Sequence, residues 1–199
     1  KWLIALGEKA FGMDPFGWRI SAAVVGSLMV LVMCRLARRM TGSTALGLVA
    51  GLLLSLDGLE FVLSRLALLD IFLAFFILCG VHCVVADRQW LRDRLAAGRT
   101  RPWWRSWWRP WLLLGGLSFG LACGTKWSAL YPLAAFGLLA WLWSAGARRA
   151  FGERRPLLRS VLLDGFPAFL ALIGVALVTY LASWTGWLMH ADAYEQAFS

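Results

Sequence analysis

Eight ionisable side chains in this sequence stand where membrane topology does not ask for them. Glu8, Asp14, Arg19, Asp57, Glu60, Arg65, Asp70 and Lys126 fall close to the ends of long apolar runs. Ionisable groups at membrane depth are costly and ordinarily face a cavity or a partner. Several at one level suggest a polar site at the outer membrane surface. Asp70 is the most informative. In Arg65-Leu-Ala-Leu-Leu-Asp-Ile-Phe-Leu-Ala-Phe-Phe76 it sits one turn inside an otherwise apolar helix. Arg65 is five residues earlier and about 140° around that helix, a poor partner. The expected partner of Asp70 is therefore a cation from another span, Arg19 or Lys126, and the plainer alternative is a structural interhelical ion pair. Lys126 tops the hairpin Gly124-Thr-Lys-Trp127, either as a headgroup anchor or as a donor to a lipid phosphate, helped by Thr125 and exposed backbone amides. The hairpin lacks the spacing of a phosphate-cradling Gly-rich loop. Arg19 opens the first span, and its planar fork suits phosphate oxygens. Asp57 and Glu60 flank Gly58 in a short outward-facing turn, where such residues often have no duty. His82 reads as a hydrogen-bonded core residue, and nothing near His190 makes a metal or triad pattern.

The elements that must position these groups follow from composition. Of 199 residues, 60% are hydrophobic and 16% charged, with a mean hydropathy of +0.68. A soluble domain is about 45–50% apolar and about 25% charged. An ordinary soluble enzyme, a disordered regulator and a disulfide-stapled secreted domain are excluded. The net charge of +9 would also fit a nucleic-acid binder, but the basic residues cluster between apolar runs of spanning length. Cys34, Cys79, Cys83 and Cys123 fall inside or at the ends of those runs and read as small apolar residues, not as disulfides or metal ligands. The prediction is an all-α polytopic membrane bundle forming one domain. About six spans are expected, over 16–34, 44–56, 66–86, 111–125, 127–143 and 160–183. The second and fourth are short, hence partly re-entrant or sheltered by neighbours. Residues 1–15 form an amphipathic stretch along the outer membrane surface.

Sidedness follows from arginine. Fifteen of the twenty basic residues lie in alternate loops: Arg35, Arg38 and Arg39; then seven from Arg88 to Arg109; then five from Arg148 to Arg159. The positive-inside rule places these loops in the cytoplasm and the eight charges above on the opposite face. The segment from Arg101 to Trp111 interleaves arginine with tryptophan. It reads as a headgroup anchor on anionic lipid rather than as a base-stacking surface.

With these residues in hand, a family resemblance emerges. The stretch from Asp57 to Phe76, the segment Gly120-Leu-Ala-Cys-Gly-Thr-Lys-Trp-Ser-Ala-Leu-Tyr-Pro132 and the segment Ser183-Trp-Thr-Gly-Trp187 resemble, in order, three segments of bacterial, especially actinobacterial, protein O-mannosyltransferases. Trp2-Leu-Ile-Ala-Leu-Gly-Glu8 resembles the stretch after a His-Pro-Pro-x-Gly-Lys motif of which Lys1 would remain. The resemblance implies a GT-C type glycosyltransferase. Such an enzyme moves mannose from polyprenyl-phosphate-mannose to Ser or Thr hydroxyls of exported proteins, with inversion, outside the cytoplasmic membrane. It implies no metal and no cofactor beyond the lipid-linked donor substrate. Its partners would be membrane lipid, exported acceptor proteins and the protein translocation machinery, with no nucleic acid. Carried onto this chain, Arg19, Lys126 and Arg65 become donor-phosphate candidates and Asp70 an orienting carboxylate, with Asp57 and Glu60 as a further outer-loop site. The family's catalytic acidic pair is expected upstream of Lys1, and the sequence after Trp187 departs from the family's Gly-rich continuation. The chain thus reads as a fragment that is inactive alone. The alternatives are a GT-C relative with another lipid-linked sugar and a lipid or glycan acceptor, or a non-catalytic membrane or transporter subunit.

Overall fold

The computed structural model describes residues 2–66, 68–96, 108–152 and 156–189, which are helical almost throughout and include no strand. The chain starts with α1 (Trp2–Phe11) and turns sharply at Gly12, whose φ of 97° is the left-handed region glycine tolerates. Helix α2 (Pro15–Thr41) has the punctuation its sequence foretells. Asp14 caps its start by accepting from Gly17 N at 2.7 Å, and Pro15 fills the first position, where no amide is missed. Gly42, at φ 74°, ends it by donating to Arg38 O. Ser43 then caps α3 (Thr44–Ser55), which returns along α2.

Small residues bring these two helices together. Gly47 of α3 approaches the Arg38 Cβ, and a Cβ on Gly51 would collide with Cys34 Sγ. In lipid there is no hydrophobic force between helices, so close backbone approach and dispersion supply the attraction.

The stretch expected as an outward turn at Asp57–Glu60 is instead the start of a further helix, α4 (Gly58–Leu66), bent 60° from α3. Asp57 caps it, accepting from Glu60 N at 2.9 Å. Glu60 is buried against α2, its carboxylate 2.8 Å from where a Gly26 Cβ would stand. Gly26 lies about 16 Å along α2 from Pro15, so Glu60 is well inside the molecule and not on an outer loop. The short 44–56 stretch is therefore the first arm of a broken or re-entrant element.

Helix α5 (Leu69–Ala96) runs beside α2 and overruns its apolar stretch by ten residues, because Asp87, Arg88 and Gln89 remain in helix. After the break, α6 (Pro110–Thr125) is only 16 residues long, about 24 Å and short of a bilayer core. Its glycines seat it between neighbours: a Cβ on Gly116 would strike the Ala171 carbonyl, and one on Gly120 would stand 2.6 Å from Ala176 O. A single 3-10 turn (Trp127–Ala129) leads into α7 (Leu130–Ala150). The last stretch alternates short α segments with π-helical turns: α8 (Pro156–Ser160), a π turn (Val161–Gly165), α9 (Phe166–Phe169), a π turn (Leu170–Gly174), α10 (Val175–Ser183) and α11 (Thr185–Leu188).

Four helical stretches are long and apolar enough to cross a membrane, Pro15–Thr41, Leu69–Ala96, Trp127–Ala150 and Leu163–Leu188, and the bent α3–α4 pair makes a fifth if it is one span. The remaining expected span, 111–125, is α6, whose length falls short while its surroundings shelter it. One core gathers α5, α6, α7 and residues 168–176 around Phe119 and Leu172; a second joins α2 to α5 through Ala22, Val25, Ile71 and Phe72. Only 28–39% of each spanning stretch is buried inside the protein, so most of its apolar surface is left uncovered by the described residues.

Candidate functional site

Two charged constellations form, at opposite ends of the bundle. At the end where α5 begins and α6 finishes, Lys126 Nζ donates to Asp70 Oδ1 at 3.0 Å. Asp70 stands in the first turn of α5 because Leu69 restarts the helix after α4. Lys126 adopts an extended conformation (φ −157°) at the end of α6, which throws its side chain across to α5. Two of the expected donors are engaged within α6: Lys126 N donates to Ala122 O at 2.9 Å and the Thr125 hydroxyl to Leu121 O at 2.9 Å. The Lys126 amide and the Thr125 hydroxyl expected to assist a ligand are thus already bonded inside α6. The ion pair itself is open, with 58% of the Lys126 side chain and 49% of Asp70 exposed.

Beside the pair opens a cavity of about 900 Å³, walled by α1, α2, α5, α6 and the α10–α11 end. Its lining is aliphatic and aromatic (Leu6, Val24, Phe72, Leu121), with hydroxyls from Ser21, Thr179 and Ser183. The walls and the charged candidates are linked by chain order. Arg19, Asp70 and Lys126 are not among the lining residues themselves; Ile20, Leu69 and Thr125 are, and each is the immediate neighbour of one of them. Arg19 is exposed and makes no ion pair among the described residues. Helix α1 covers one side, with the Trp2 ring 2.8 Å from where a Gly186 Cβ would lie.

Arg65 and the Asp57–Glu60 pair are not brought to this cavity. The Arg65 guanidinium stacks over Phe61 of its own helix at 4.3 Å. Asp57 is occupied as a cap and Glu60 faces Gly26 and Ser64. His82 differs from expectation, since its Nδ1 is buried without a hydrogen-bond partner. Among the described residues no three His, Cys, Asp or Glu side chains gather to hold a metal. His190 and the arginines and tryptophans of 97–107 lie outside the described residues.

The opposite end holds a network that residue counting missed. Arg109, pooled with the loop arginines, is 2% exposed and pairs with Asp87, which is 1% exposed. Its guanidinium also donates to the Asp164 carbonyl at 3.3 Å and to Ser144 Oγ at 3.4 Å. Arg148 NH2 donates to Asp164 Oδ1 at 3.1 Å. Four elements are thereby tied by buried charge: α5, the α6 start, α7 and the first π turn. The available signal was Asp164, a carboxylate within the apolar run 160–183, and Asp87 at the end of another.

The fold defines a polytopic all-α membrane protein, and the site adds to it an apolar cavity and an exposed ammonium–carboxylate pair one residue along the chain from its lining. Family comparison narrows that class: residues 1–190 match the family model described as dolichyl-phosphate-mannose-protein mannosyltransferase, and the chain belongs to this family. Among curated relatives, a polyprenol-phosphate-mannose–protein mannosyltransferase of Mycobacterium tuberculosis is 38% identical over 98% of the chain and 39% of its own length. The protein of the same name from Corynebacterium glutamicum is 37% identical over 94% of the chain and 37% of its own length. More distantly, an undecaprenyl phosphate-alpha-4-amino-4-deoxy-L-arabinose arabinosyl transferase of Pseudomonas aeruginosa is 32% identical over 71% of the chain and 22% of its own length. The chain thus spans about two-fifths of the length of its mannosyltransferase relatives. No solved structure matches it significantly.

Proposed function

We propose that this chain forms the donor-lipid side of a protein O-mannosyltransferase that takes mannose from a polyprenyl-phosphate carrier and delivers it to Ser or Thr hydroxyls. The observation that carries the reading is the apolar cavity whose lining residues Ile20, Leu69 and Thr125 adjoin Arg19, Asp70 and Lys126. A prenyl phosphate needs that combination: a greasy groove for the tail and cations at its mouth for the headgroup. Lys126 and Arg19 stabilise the phosphate, and Asp70, already hydrogen-bonded to Lys126, orients the ammonium. In the transfer, the acceptor hydroxyl oxygen bonds to mannose C1 from the face opposite the phosphate. The C1–O bond to phosphate breaks and its electron pair leaves on the prenyl phosphate, whose growing charge the two cations offset. The hydroxyl proton goes to a carboxylate base supplied from outside this set. The arginine bias supports an extracytoplasmic position for this end, where exported acceptor proteins and the translocation machinery would meet it.

The test is transfer of labelled mannose from polyprenyl-phosphate-mannose in membranes containing the full-length protein. A charge-assisted hydrogen bond is worth roughly 1.5–3 kcal/mol, so Lys126→Ala should slow transfer about 10- to 100-fold at unchanged protein abundance. Unchanged transfer removes Lys126 from the site. The arabinosyl transferase relative favours a second reading, a different prenyl-phosphate-linked sugar; transfer from an aminoarabinose donor in preference to the mannose donor would select it.

A further inference from the structure

We infer that the arginine-rich end carries a built site for the phosphodiester headgroup of an anionic phospholipid, at the corner where α2, α5 and α6 meet. The corner is held by contacts of its own. Gln89 Nε2 of α5 donates to the Arg39 carbonyl of α2 at 2.8 Å, and the Arg39 guanidinium lies over the Trp111 ring of α6, 5.2 Å from its centroid. Across the bundle, Arg88 repeats the arrangement over Trp143 at 4.7 Å. A guanidinium stacked on indole has one face occupied, while its in-plane N–H donors stay available to phosphate oxygens.

Charge bookkeeping at this end explains why the donors stay available. Asp87 and Asp164 would be natural counter-ions, but both are 1% exposed and face the buried Arg109 and Arg148. Among the described residues of this end, Asp93 is the one exposed carboxylate. Arg35, Arg38, Arg39 and Arg88 pair with no carboxylate among the described residues. The buried network thus removes negative charge from the surface and leaves the rim positive. Met40, next to Arg39, and Leu114, one turn from Trp111 on α6, are exposed, apolar surface that suits acyl chains better than an aqueous acidic protein. Basic pockets between spanning helices bind acidic lipid headgroups for this combination of reasons.

The test uses the intact protein, solubilised in neutral detergent, titrated with phosphatidylglycerol and separately with phosphatidylcholine, and read by native mass spectrometry of retained lipid. Phosphatidylglycerol should be retained in preference, and the preference should collapse between low and high salt. Each arginine near an anionic lipid contributes about fivefold in affinity, so Arg35→Gln with Arg39→Gln should weaken retention roughly 25-fold. Lys9→Gln, at the other end, should not change it. Equal retention of the two lipids, indifference to salt in the unaltered protein, or an unchanged double variant each overturns the proposal. So does displacement of phosphatidylglycerol by millimolar inorganic phosphate, which would mark a site for free anions. If the double variant fails to fold, the lipid preference and salt response of the unaltered protein still decide.

Discussion

At the scale of single residues, exposure separates the charges that hold this protein together from those free to act. Asp70 and Lys126 meet at 3.0 Å, yet about half of each side chain is open; such pairs add only about 0–1 kcal/mol to stability. Asp70→Asn should therefore leave abundance and thermal unfolding nearly unchanged, while slowing mannose transfer less than Lys126→Ala, since the ammonium remains. A matched drop in both variants' unfolding temperature would assign the pair to structure instead. Arg109 is the opposite case. Removing it strands Asp87, and loss of one partner from a buried pair costs about 3–5 kcal/mol. Arg109→Ala should fall by that amount in denaturant unfolding, and the double change Asp87→Leu with Arg109→Leu should recover much of the loss. Lys126 was legible as a special residue because a lone cation between two apolar runs stands out. Arg109 was not, because one arginine in a run of seven carries no mark of which will turn inward.

At the scale of elements, helix contacts rest on missing side chains. Gly116 and Gly120 of α6 face backbone carbonyls of Ala171, Leu172 and Ala176, which cannot move aside as a flexible side chain can. Gly116→Leu should separate α6 from the π-turned stretch and cost about 1–3 kcal/mol or more, seen as a lowered unfolding midpoint in detergent. Gly146→Leu, at a glycine with nothing within 4 Å, serves as the control and should change little. Periodicity and length located the apolar stretches well, since bilayer thickness and hydropathy act locally. They did not locate α4. An Asp-Gly pair reads as a turn, and here the Asp57 side chain caps a helix that starts in a new direction. The π turns at Val161–Gly165 and Leu170–Gly174 were equally invisible, since one extra residue per turn leaves no compositional trace.

At the scale of the whole molecule, the two ends differ: one holds an apolar cavity and an exposed ion pair, and the other buries Asp87 and Asp164 and shows arginine. A two-sided labelling experiment reads the orientation this implies. In a cysteine-free background, Met13→Cys should react with a membrane-impermeant maleimide on intact cells. Met40→Cys, also well exposed, should react only after lysis; the reverse pattern would invert the topology. Membrane residence, the all-helical class, the charge asymmetry and the family were all settled by residue order alone, because hydropathy, arginine bias and motif segments are properties of short stretches. Which carboxylate finds which cation was decided only in three dimensions. Asp70 and Lys126 are 56 positions apart, and Asp87 and Arg109 are 22. Their meeting depends on helix rotation, on glycine contacts that set interhelical distance, and on a 60° bend that nothing local records.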